Sequence, residues 1–83
     1  MPRFFIDTTD DDLFVKDAEG AEYPDLDAAK AAAVAALPDM AREKLPDGDA
    51  RNFLALVRGA DGQNLLQASL LLHVTSLVPK AER

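Results

Sequence analysis

One stretch of this chain repeats its apolar residues at helical spacing, and that limits the folds open to it. Leu26, Ala29, Ala33, Leu37 and Met40 lie on one stripe near the 3.6-residue period, and Lys44 continues it with an end that can reach solvent. Pro24-Asp25-Leu26-Asp27 is a helix start: Asp25 can cap the first free amides, and Asp27 sits in the positive first turn. Pro46-Asp47-Gly48 stops the helix just after Leu45. Pro38 falls away from the stripe, which predicts one kinked helix in preference to two short ones. Eight alanines between Ala28 and Ala41 keep it thin enough to lie close on a sheet.

The remaining periodic segments alternate with period 2. Arg3–Asp7 alternates around Phe4 and Ile6, and Asp12–Asp17 around Leu13 and Val15, with Thr8–Asp11 as the connecting turn. Residues 51–58 are apolar on both faces. The Asp61-Gly62 pair turns the chain into a last strand, where Leu66, Ala68, Leu70, Leu72 and Val74 face one way. These elements predict an α+β domain of ββαββ type over residues 1–78, with a flexible tail at 79–83. The helix returns the chain so that the second and third strands run parallel. Placing the most apolar strands, the first and the last, at the centre gives a β-grasp-like order, second-first-fourth-third. The order first-second-fourth-third is the alternative.

Composition narrows the function classes. A chain of 83 residues holds one modest core. It has no cysteine, so disulfides and thiolate chemistry are excluded, and a reducing, cytoplasmic location is expected. The opening residues contain too short an apolar run for a signal peptide, and Leu70-Leu71-Leu72 is far short of a membrane span. The net charge of −6 is uneven: residues 1–49 carry 13 acidic and 5 basic side chains. That half repels phosphate backbones and argues against direct nucleic-acid binding.

Met1-Pro2-Arg3 with Phe4-Phe5, then Asp17, Gly20, Glu22, Pro24-Asp25-Leu26 and Ala28-Ala29, resembles a family of short bacterial proteins of unknown function. The pattern Asp-x-x-Gly-x-Glu-x-Pro-Asp-Leu before a helix is its most specific part. The resemblance implies a bacterial origin and carries no catalytic residue, because the family has no assigned activity.

No catalytic, metal or cofactor site is expected. His73, the one histidine, alternates with Gln67, Ser69 and Thr75, where a solvent-exposed polar position accounts for it. Ser69 and Ser76 lack a glycine-flanked elbow, and the four glycines sit in separate turns. Asp7, Asp10, Asp11 and Asp12 lack the glycine and closing glutamate of a calcium loop. The more informative feature is the sheet face that a lone helix leaves bare. Phe5, Phe14, Leu54, Leu56 and Leu71 should form an apolar band there, rimmed by Arg3, Lys16, Arg58, Gln67, His73 and Thr75. The expected function is therefore a non-enzymatic protein-interaction module, with a protein partner or a homodimer on that face. Two alternatives compete. An acidic regulatory partner would mask a basic protein through Asp7, Asp10, Asp11, Asp12, Glu19 and Glu22. A small ligand-binding or hydrolytic domain would need a pocket near His73.

Overall fold

The computed structural model describes residues 1–11, 13–44 and 50–79, without the Lys44 side chain. Its elements run β1 (Arg3–Thr9), β2 (Phe14–Val15), β3 (Ala21–Glu22), α1 (Leu26–Lys44), β4 (Ala50–Gly59) and β5 (Asn64–His73). This is an α+β fold with one helix on one face of an antiparallel sheet. The stop at Pro46-Asp47-Gly48, Asp12 and the tail at 80–83 lie outside the described residues.

The strand order is β2-β1-β4-β5, with β3 also pairing β1. This corrects the sequence expectation: the first strand pairs the third, and the last strand lies at an edge. β2 and β4 both run antiparallel to β1 and so point the same way, as expected, but β1 stands between them. Apolar content alone misplaced the strands. What decides centrality is burial: Phe53, Ala55 and Val57 of β4 are wholly buried, whereas most of β5 is exposed. The observed order also makes every adjacent pair antiparallel, the better hydrogen-bonded arrangement.

The predicted second strand, Asp12–Asp17, is a strand only at β2, and β3, beyond its predicted end, lies along the same edge of β1. Thr8 pairs Val15 and Phe4 pairs Ala21, so this edge spends six residues where β1 spends four. The surplus forms a loop at residues 16–20.

The predicted stripe forms the core contact from Ala29 onward, while Leu26 at its start is exposed. Ala29, Ala33, Leu37 and Ala41 pack on Phe4, Phe53, Ala55 and Val57, with Met40 half-buried beside them. Asp25 Oδ1 accepts the Ala28 amide at 2.9 Å and caps the helix as expected. The helix runs unbroken through Pro38. Proline cannot donate to the carbonyl four residues back, that of Val34, and Val34 lies on the exposed side where water can serve that carbonyl. Pro38→Ala should therefore restore a helical hydrogen bond and raise stability by about 1–2 kcal/mol. Thermal unfolding checks this, and a lower melting temperature would contradict it.

Candidate functional site

Strand alternation sorts the sheet residues onto two faces. Phe4, Ile6 and Thr8 pair Gly59, Val57 and Ala55 on the helix side, and Phe5, Asp7 and Thr9 pair Arg58, Leu56 and Leu54 on the bare side. On β5, Gln67, Ser69 and Leu71 share the bare side, and Phe14 joins it opposite Thr9. The adjacent aromatics Phe4 and Phe5 thus split between the faces. Phe4 is buried against α1, in a tilted ring contact with Tyr23 at 6.2 Å.

The bare side is not a continuous apolar band. One end is closed by a polar clasp that sequence reasoning did not find. Asp7 is only 4 % exposed and accepts two hydrogen bonds from Arg58, from Nε at 3.0 Å and from Nη2 at 3.1 Å. The guanidinium lies over the Phe5 ring, 4.6 Å from its centroid, and Nη2 also donates to the Asp17 carbonyl at 2.9 Å. The Asp17 amide in turn donates to Asp7 Oδ1 at 2.8 Å. Arg58, expected on the rim, is instead the centre of this network. Phe5, expected in the apolar band, is stacked beneath it.

Asp17 shows why the loop at 16–20 has its sequence. Its Oδ2 accepts the Ile6 amide at 3.1 Å, where the broken edge strand offers β1 no carbonyl. Its Oδ1 accepts the amides of Glu19 and Gly20. Gly20 has φ +69°, and a Cβ there would stand 2.8 Å from the Phe4 carbonyl oxygen and from the Phe5 ring. The Asp-x-x-Gly of the motif is therefore a strand-repair device. The carboxylate replaces a missing backbone acceptor, and glycine lets the loop pass close over β1.

The clasp lowers both carboxyl pKa values. The Arg58 hydrogen bonds hold Asp7 below its ordinary 3.8 against the opposing effect of burial. Burial pushes Asp17 up, but the amides of Gly20, Ile6 and Glu19 together outweigh it and leave the group below 3.8.

The other end of the bare side keeps apolar groups in solvent. Phe14 is 55 % exposed and Leu71 67 %, with half-buried Leu54 between them and half-buried Leu56 next along β4, opposite Asp7. His73 is exposed at the same end, opposite Ala50. The predicted interaction face is thus reduced to Phe14, Leu54, Leu56, Leu71 and His73.

Of the expected acidic surface, Asp7 and Asp10 are buried, whereas Asp11, Glu19 and Glu22 are exposed. Asp7 is spent on Arg58. Asp10 is 5 % exposed; its carboxylate accepts the Leu13 amide, and its carbonyl accepts Arg51. Asp11 is exposed, with φ +82°, and accepts the Asn52 amide at 2.9 Å. Glu22 is 3.6 Å from Arg3, whose other nitrogen donates to the Glu19 carbonyl. These carboxylates tie the first hairpin to β4 and to the edge of the sheet, which is why they cluster in sequence.

Two surface hollows lie away from His73. One runs along α1 beside Asp27, Lys30, Ala31, Val34 and Ala35; the other is bordered by Thr8, Asp10, Leu13, Val15, Met40 and Glu43. Among the described residues no group of three or more histidine or acidic side chains could hold a metal ion, and no helix is long and apolar enough to cross a membrane.

No curated protein and no solved structure matches the chain. A family model described as a domain of unknown function, DUF6894, matches residues 3–71, from the start of β1 to near the end of β5. The chain belongs to the DUF6894 family.

Proposed function

We propose that this domain is a non-enzymatic protein-interaction module whose contact surface is the open end of the helix-free sheet face. The observation that carries this reading is the pair of large apolar side chains, Phe14 and Leu71, held in solvent around Leu54. The clasp supports it physically, because Asp7, Arg58 and Asp17 satisfy one another and stiffen the sheet at the other end of the same face. An acidic mask for a basic protein is less well supported, since Asp7 and Asp10 are buried. The hydrolytic reading has no support from the hollows, neither of which His73 lines.

Benzoylphenylalanine placed at Phe14 tests the proposal in cells that make the protein. Photolysis should yield discrete heavier adducts from position 14 and none from position 31, on the outer side of α1. Absence of adducts at 14, or the same adducts from both positions, would defeat the reading.

A further inference from the structure

We propose that the outer edge of β5 pairs antiparallel with β5 of a second copy of this chain, joining two sheets across a two-fold axis. The two edges of the sheet are built differently. The β2–β3 edge is managed in the usual ways: its strands are two residues each, the loop at 16–20 breaks them, and Arg3 and Glu22 put charge there. The β5 edge has none of these defences. It is ten residues long, about 34 Å of backbone, and no described strand pairs its outer side. A row of free amides and carbonyls on such a strand is a template for another strand.

Charge identifies the occupant as a second copy. Residues 62–79 contain no Asp, Glu, Lys or Arg, in a chain whose residues are 29 % charged. Two copies with a net charge of −6 each would repel, but pairing through this stretch lays neutral surface on neutral surface. Sequence along β5 suits self-pairing as well. With Ser69 on the axis, Leu66 stands opposite Leu72, small Ala68 opposite Leu70, and Gln67 opposite Leu71.

Flanking groups extend the contact. Met40 and Glu43 border the hollow beside β1 and β2, which places Val34 on the flank of α1 turned toward β5. A two-fold axis normal to the sheet brings the two helices to the same face, so exposed Val34 meets its counterpart and exposed Leu70 stands over Ala68 of the other copy. Beyond β5, residues 74–79 are exposed without regular structure, and Leu77 is 94 % exposed. Antiparallel pairing carries this arm along the other copy's β4–β5 turn, beside exposed Leu65. The proposal uses the edge of the sheet and does not rest on the open-face reading.

Sedimentation equilibrium of the full chain tests it. The wild type should weigh twice 9.0 kDa, 18 kDa, from micromolar concentrations upward. The centre of β5 falls between Ala68 and Ser69, so in self-pairing two Ser69 side chains are directly opposed or diagonal, at most roughly 7–8 Å apart. Ser69→Lys and Ser69→Glu should therefore each weigh 9.0 kDa, and an equimolar mixture should return to 18 kDa. Ser69→Ala and Phe14→Asp should stay at 18 kDa. A monomeric wild type, a species larger than two chains, or a dimer that survives Ser69→Lys overturns the proposal. A dimer lost in Phe14→Asp and kept in Ser69→Lys would move the interface to the open face. Should the charged variants fail to fold, wild-type hydrogen exchange decides. Those β5 amides that point away from β4 should be protected and lose protection on dilution, and rapid exchange at every concentration overturns the pairing.

Discussion

Gly20→Ala should lower the melting temperature by about 15 °C or more, while Gly62→Ala lowers it by only about 5 °C. Both glycines have positive φ, +69° and +89°, so an added methyl group costs each about 1 kcal/mol of backbone strain. The difference lies in the surrounding space. Nothing lies within 4 Å of a Cβ at Gly62, which sits in the β4–β5 turn. At Gly20 the new carbon would be 2.8 Å from the Phe4 carbonyl oxygen and from two Phe5 ring carbons. The ring could swing aside only by leaving Arg58, and the carbonyl belongs to β1 itself. Relief means moving the loop off the sheet, which adds about 2 kcal/mol from the clasp hydrogen bonds. A domain of this size has about 4–12 kcal/mol in total, so the change is a large fraction of its stability. Calorimetry of both variants checks the contrast. Equal shifts would mean that the close approach contributes nothing.

How much of this was legible beforehand depends on the range of the interactions. The helix was readable because cap, stripe and alanine content are local, and Asp25, Ala29, Ala33 and Leu37 sit where the pattern put them. The division of Phe4 and Phe5 between faces followed from alternation alone. Strand order was not readable, because a leucine-rich strand scores the same at an edge as at the centre. Only the pairing partner tells β5 from β4. The clasp was hidden for a related reason. Asp7, Asp17 and Arg58 are separated by 10 and 41 residues, and each taken singly is an unremarkable charge on a strand or turn. The one signal that could have exposed it is the alternation itself: Asp7 falls between Phe5 and Thr9 on the bare side of β1, opposite Leu56 of β4. A carboxylate in the middle of a sheet needs a cation, and Arg58 lies on the neighbouring strand.

Removing that network should both weaken the fold and flatten its response to acid. Asp17→Ala strips acceptors from the amides of Ile6, Glu19 and Gly20, and the Ile6 amide, partly buried in β1, has no strand to turn to. The expected loss is about 3 kcal/mol, against about 2 kcal/mol for Asp7→Ala. The double variant should lose less than the two together, because the Asp17 amide and Asp7 carboxylate already bond one another and Arg58 serves both residues. The sign of the acid response follows from the two lowered pKa values. A carboxyl that ionises more readily when folded stabilises the fold fully above its unfolded pKa, near 3.8, and loses that contribution as the pH falls through the lower folded value. Urea titrations at neutral pH and at successive steps below about pH 4 should therefore show wild-type stability falling on acidification. Asp7→Asn/Asp17→Asn should start lower and fall less. Arg58 stays charged throughout this range, so the change in slope reports the carboxylates alone. Parallel curves for the two proteins would place the acid sensitivity elsewhere, and coincident curves would reduce the clasp to a contact without energetic weight.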